Sequence, residues 1–166
     1  MDYFETNIKL LQKHDPALAN RVKEQSFPEN VKVSISKDGL PVPQIAGLSL
    51  HSKYHPGKEA VQLTQSFQLC NDSRTVIFGL GFGYHILPLI EKSEVTVIEP
   101  FMTIFRAFIS SVDLAPFLPK VRFRIAETPA SLLARYEPTN WNIFEHVPSV
   151  RLGESYYQQL HSGIET

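Results

Sequence analysis

Thr75-Val76-Ile77-Phe78-Gly79-Leu80-Gly81-Phe82-Gly83-Tyr84-His85 is a short β-branched and aromatic run that breaks into three glycines at alternate positions. A compact apolar run bounded by glycine reads as a strand buried on both faces, and glycine lets the backbone turn tightly and approach another group closely. The segment after it, Tyr84 to Lys92, is helical in pattern. A helix that follows such a turn offers unpaired N–H groups and the positive end of its dipole to polar or negative ligand atoms. This order predicts a ligand-receiving junction in which Gly79, Gly81, Gly83 and Tyr84 line the ligand, with His85, just inside the helix, as a candidate substrate contact.

Working outward, Val95–Ile98 reads as a second strand, Phe101–Ser111 as a helix, Val121–Ile125 as a third strand, Pro129–Tyr136 as a helix and Trp141–Phe144 as a fourth strand. Strands alternating with helices at this spacing imply parallel pairing through crossover helices, a doubly wound α/β sheet whose ligand crevice lies at the carboxyl ends of the strands. Residues from about 72 to 147 are therefore expected to form a Rossmann-like nucleotide-binding unit.

Upstream the periodicity differs. Phe4, Ile8, Leu11, Leu18 and Val22 recur at helical intervals, with Asp15-Pro16 marking the start of a second helix. Val31, Val33 and Ile35 then alternate with Lys32, Ser34 and Ser36, a strand with one buried face, and Asp38-Gly39 supplies a hairpin turn. The return run, Val42 to Leu50, follows Pro41 and contains Pro43, so its start should lie at a sheet edge. A further helix is expected from about Gly57 to Leu69, with Pro56 at its start. The fold class is thus α/β, a Rossmann-like sheet of methyltransferase type, mostly parallel, preceded by a small helix-plus-β-hairpin subdomain. The division expected is 1–55 for that subdomain and 56–166 for the Rossmann-like domain. Four strands are few for such a sheet, and the domain is read as truncated relative to a longer native protein.

The glycine spacing also bears on the ligand. The dinucleotide fingerprint places its third glycine where this chain has Tyr84, which argues against NAD and FAD. A GxGxG turn suits the S-adenosylmethionine-dependent methyltransferase fold and its relatives that bind other ligands in the same crevice. Glu99 closes the second strand about twenty residues after Gly79, where a carboxylate can accept hydrogen bonds from ribose hydroxyls. Methyltransferases of this type usually carry an acid two residues before the first glycine. Here that position is Ile77, which weakens the case for S-adenosylmethionine. Glu127, after the third strand, is a further candidate for a base contact, with a solvated loop carboxylate as the plainer reading.

Composition narrows the partners. The chain of 166 residues is 43% hydrophobic and 20% charged, ordinary for a folded globular protein. A net charge of -1 offers no global basic excess for a nucleic-acid backbone, so no nucleic-acid partner is expected, and Lys120-Val121-Arg122-Phe123-Arg124 reads as a solvated strand face. No apolar stretch reaches membrane-spanning length and Met1-Asp2-Tyr3-Phe4-Glu5 is not a signal peptide, so no membrane partner and a cytoplasmic location are expected. Cys70, the single cysteine, reads as a half-buried inert thiol. No acid–base dyad, nucleophile set or metal-spacing pattern is visible among the six histidines, so catalytic residues stay unassigned and no metal is expected. The oligomeric state is left open.

Four segments, Leu50-His51-Ser52-Lys53-Tyr54-His55-Pro56 with Glu59-Ala60, Phe78 to His85, Val97-Ile98-Glu99-Pro100, and His146-Val147-Pro148-Ser149, resemble the amino-terminal half of motility accessory factor proteins. These are linked to flagellin glycosylation with nonulosonic acids, and their core domain is shared with an archaeal-type 6-hydroxymethylpterin pyrophosphokinase. The resemblance runs from about Asp38 onward and departs from the family where His55 replaces its usual acid. It implies a transferase using a CMP-activated sugar or ATP, with His51, Ser52, Lys53 and Tyr54 presented to a phosphate or sugar carboxylate. A methyltransferase-like protein using S-adenosylmethionine and a non-catalytic interaction module remain the competing readings.

Overall fold

The computed structural model describes residues 2–136 and 138–165. Two helices, α1 (Phe4–His14) and α2 (Pro16–Lys23), precede a three-stranded antiparallel sheet of β1 (Val31–Ile35), β2 (Pro41–Ile45) and β3 (Leu48–Ser49). Then come α3 (Pro56–Thr64), β4 (Arg74–Phe78), α4 (Ile86–Ile90), β5 (Val95–Glu99), α5 (Met102–Ser111), β6 (Val121–Ile125), α6 (Pro129–Arg135), β7 (Trp141–Glu145), α7 (Val147–Leu152) and α8 (Glu154–Glu165). The second sheet is wholly parallel, in the order β6-β5-β4-β7. The fold is the α/β, Rossmann-like one expected, preceded by helices and a small antiparallel sheet.

Burial follows position in that sheet. The inner strands β4 and β5 are covered on both faces and read as continuous apolar runs, whereas edge strand β6 alternates, burying Val121, Phe123 and Ile125 between Arg122 and Arg124. On one face Val76, Phe78 and Ile98 pack with Leu132, Tyr157 and Leu160 from α6 and α8. The other face carries Ile77, Val97, Phe123 and Ile125 against Phe105 and Phe108 of α5, in a core that continues to Leu11, Leu18, Val22, Val31 and Leu50.

The leading helices are fastened to that core by polar contacts as well as apolar ones. Asp15 caps α2 by accepting the Leu18 N–H at 3.1 Å, with Pro16 at the first helical position. Asn7, fully buried, donates to the carbonyls of Ile109 (2.8 Å) and Val112 (2.7 Å) and accepts from the Leu114 N–H (3.0 Å). It therefore satisfies the orphan carbonyls at the end of α5 from outside that helix. Arg106 lies over the Phe4 ring at 3.7 Å and donates to the Gln25 carbonyl and the Ser110 hydroxyl.

Several local expectations change. Only Val31 of β1 is buried: Val33 and Ile35 are exposed, because β1 is the edge of its sheet and its contact with the core ends at Val31. The return run does not continue to Leu50 but turns again at Ala46-Gly47, both with positive φ, so that β3 pairs with the end of β2 and only the Leu50 N–H, donating to the Pro43 carbonyl at 3.0 Å, extends that pairing toward its proline-containing start. Helix α3 ends at Thr64, short of Leu69, and Cys70 is exposed rather than half-buried. Helix α4 spans five residues because the backbone through Tyr84 belongs to the turn, and α7 was absent from the sequence pattern altogether.

Asn7→Ala should strip three hydrogen bonds from buried backbone groups and cost about 3 kcal/mol, measured by urea denaturation.

Candidate functional site

Strand order places the site. The chain runs from β4 outward through β5 to β6, then returns to lay β7 on the other side of β4. The direction reverses at the carboxyl ends of β4 and β7, the position where open parallel sheets form their crevice. Gly79 follows β4 and His146 follows β7 there, and the His146 N–H donates to the Phe78 carbonyl at 2.9 Å.

All three glycines of the turn have positive φ: 104° at Gly79, 51° at Gly81 and 80° at Gly83. They are also needed for space. A Cβ on Gly79 would lie 2.3 Å from the Ser149 Cβ, one on Gly81 2.5 Å from His51 Nε2, and one on Gly83 2.8 Å from the Phe117 ring. The side that should face a ligand is occupied by the chain's own side chains.

Glu99 is 1% exposed, and its two oxygens accept the Leu80 N–H (3.1 Å) and the Phe101 N–H (3.0 Å). Burial raises its pKa from 4.5 to about 7, against the opposing pull of those two amides. The carboxylate thus ties the turn after β4 to the turn after β5, with its oxygens directed at backbone rather than at solvent.

Three buried histidines close the crevice. His51 Nε2 accepts the Phe82 N–H at 2.9 Å, His85 Nε2 donates to the Gly79 carbonyl at 2.8 Å, and His146 Nδ1 lies 2.6 Å from the Ser149 hydroxyl. The His85 and His146 rings stack at 4.1 Å and 5°, with His51 tilted 32° against His146 at 4.9 Å, and Tyr84 meets His51 edge-on. Loss of hydration drives all three pKa values down, His85 to about 4, so the rings stay neutral; at His51 and His146 the neighbouring histidines add to that effect.

Three neutral imidazoles with nitrogens within 4.8 Å of one another are the right chemistry for a transition metal. Their direction is not. Parallel stacked rings hold their in-plane lone pairs in separate planes, and His51 Nε2 already serves the Phe82 amide. Among the described residues, His85 Nδ1 is buried with no hydrogen-bond partner, the one ring nitrogen of the trio in that state.

Of the residues singled out from sequence, the fold gathers Gly79, Gly81, Gly83, Tyr84, His85, Glu99 and His51 in this crevice. Ser52 lies beside it as an organiser, its hydroxyl accepting the Tyr54 and His55 N–H groups and its own N–H donating to Glu59. Lys53 and Tyr54 are exposed, and Glu127 sits apart, paired with Arg135 at 3.4 Å. His146 and Ser149 were not marked as site residues. The signal for them was a polar pair directly after a strand, which becomes informative once β7 is known to lie beside β4.

No protein-family model matches the chain. An uncharacterised protein of Treponema pallidum (strain Nichols) is 28% identical over 176 aligned positions, covering 95% of this chain and 60% of that protein. Among solved structures, the MAf glycosyltransferase from Magnetospirillum magneticum AMB-1 superposes with a TM-score of 0.65 at 15% identity, across 97% of this chain and 35% of that one. The MNMC2 structure from Aquifex aeolicus aligns at a TM-score of 0.34 and 14% identity over 74% of this chain and 55% of that one. The chain therefore has the fold found in part of MAf glycosyltransferase, and it spans 60% of the Treponema protein and 35% of the MAf structure. Among the described residues, no helix is long and apolar enough to cross a membrane.

Two measurements check this geometry. Gly81→Ala should cost at least 2 to 3 kcal/mol (~1–2 for the left-handed backbone, the rest for the clash with His51), read by chemical denaturation. The histidines, neutral when folded and titrating near 6.5 when unfolded, add stability as pH rises from about 5 to 6.5. Glu99, protonated more readily when folded, loses stability as pH rises from 4.5 to about 7. The net is about two protons, so stability should climb with pH at up to roughly 3 kcal/mol per unit near pH 5.5. Urea melts from pH 5 to 7 should show that slope, steeper by one proton in Glu99→Gln and shallower by one in His85→Asn.

Proposed function

We propose that this chain is the front part of a glycosyltransferase-like protein of the motility accessory factor type, a transferase that uses a CMP-activated sugar, with ATP-dependent pyrophosphoryl transfer as the alternative chemistry. The observation that carries this reading is the superposition on MAf glycosyltransferase across 97% of the chain. The superposed span takes in the leading helices and the small antiparallel sheet as well as the parallel sheet, a longer match than a Rossmann-like core would supply by itself. The motif resemblance in residues 50–60, 78–85, 97–100 and 146–149 points the same way.

Within that protein the unit described here acts as a structural module. Its glycine turn is closed by His51, His146, Ser149 and Phe117, and its acid is committed to two backbone amides. The role proposed for the turn is to lock β4, β5 and β7 together at the switch point, while nucleotide-sugar chemistry belongs to the whole protein.

A second reading keeps a nucleotide in the crevice itself. It is favoured by the coincidence of glycine turn, acid and topological switch point, and it requires the His51 and His146 rings to leave the turn.

Calorimetric titration of the chain with CMP, ATP and S-adenosylmethionine separates the readings. The module predicts no heat with CMP or S-adenosylmethionine and no response to ATP that Glu99→Gln removes. Binding of CMP or ATP that is lost in Glu99→Gln would establish the second reading, and binding of S-adenosylmethionine alone would replace both with a methyltransferase-like function.

A further inference from the structure

At the opposite end of the parallel sheet from the glycine turn lies a half-open cavity of about 700 Å³. It is built on the sheet face that α6 and α8 cover farther along. The register places Val76, Thr96 and Arg122 side by side on that face, with Arg74 two residues before Val76 on the same side of β4. Nearer the carboxyl ends these positions carry Phe78 and Ile98, buried in the apolar layer; nearer the amino ends they carry arginine and threonine. Parallel strands are ordinarily covered by apolar contacts on both faces, so the exposed Arg74 and Arg122, flanking the buried Val76 and Thr96, mark the margin where the apolar cover ends and the sheet presents cations.

Arg135 and Tyr136, from the end of α6, and Lys120, ahead of β6, complete the rim. Four cations thus face one cavity, against Glu94 as the single acid lining it among the described residues. Arg122 has no ion pair or hydrogen bond among the described residues, and Arg74 is held only by its position over the Tyr136 ring at 5.1 Å. Arg135 is shared with Glu127, and Lys120 donates to the Ile90 carbonyl. Arg74 and Arg122 stand on strands two spacings apart, about 10 Å across the sheet, with Thr96 on the strand between them and Ser73 also lining the cavity.

We propose that this cavity is a binding site for a small molecule carrying two or more linked phosphate groups. Paired arginines offer planar bidentate donors matched to phosphate oxygens, and the hydroxyls supply neutral donors that hold an anion without adding charge. A concave site of this size suits a compact polyanion better than a nucleic-acid duplex, which would need an extended basic surface that a chain of net charge -1 lacks. The site is independent of the glycine turn and stands whether or not a nucleotide enters that crevice.

The test is calorimetric titration of the chain with inorganic pyrophosphate at low ionic strength, repeated on the double variant R74A/R122A. Both arginines are exposed, and an unchanged thermal melt of the variant confirms that it folds. Binding of pyrophosphate that weakens at least tenfold in the double variant, and weakens with added salt, is the expected result. No heat at millimolar pyrophosphate, or equal affinity in the double variant, would overturn the proposal. Tighter binding of a single-stranded oligonucleotide than of pyrophosphate would overturn it in favour of a nucleic-acid surface.

Discussion

A carboxylate with both oxygens on backbone amides, held at 1% exposure, is the joint on which this fold turns. Glu99 sits at the last position of β5 and reaches the amide of Leu80, inside the turn after β4, and that of Phe101, ahead of α5. Burial of a charge is costly unless its hydrogen-bonding capacity is met, and here two N–H groups meet it while desolvation still raises its pKa. The turn is thereby fixed from one side. The imidazoles of His51 and His146 and the Ser149 side chain fix it from the other, so the glycines are required by contact distances as much as by backbone angles.

The neutral histidine stack is a consequence of that closure. Rings that share a water-free pocket cannot each hold a proton, and each uses a nitrogen on a nearby backbone or hydroxyl group instead. Parallel stacking holds the His85 and His146 lone pairs in separate planes, and His51 Nε2 is committed to the Phe82 amide. A crevice that is a ligand site in many doubly wound sheets is here a polar plug, and open polar space lies at the other end of the strands, among Arg74, Lys120, Arg122 and Arg135. The two ends of one sheet differ because, on the face that α6 and α8 cover, β4 runs from Arg74 to Phe78 and β5 from Thr96 to Ile98.

Much of this was legible from residue order. The β4 and β5 runs, the glycines, the capping Asp15-Pro16 and the β6 alternation each state their own local structure, because propensity, turn chemistry and periodicity act over a few residues. The likeness to motility accessory factors also rested on short motifs, and the superposition on MAf glycosyltransferase agrees with it at the level of fold. Where local reading failed, a distant contact decided. Val33 and Ile35 alternate properly yet face solvent, since nothing in their own segment says where the core ends. The helix after the glycines is shorter than its apolar pattern implies because its first turn is drawn into the junction.

The amino-acid sequence by itself determined the element types, the strand–turn–helix junction and the acid that stands opposite it, all products of short-range backbone preference and apolar spacing. Only the tertiary structure decided what that junction faces. His51, His85 and His146 are separated by tens of residues and meet because β7 returns to the side of β4, a pairing set by the burial of whole sheet faces and by no local pattern. The glycine turn was written in the sequence; its closure by the chain's own side chains depends on which strand lies next to it.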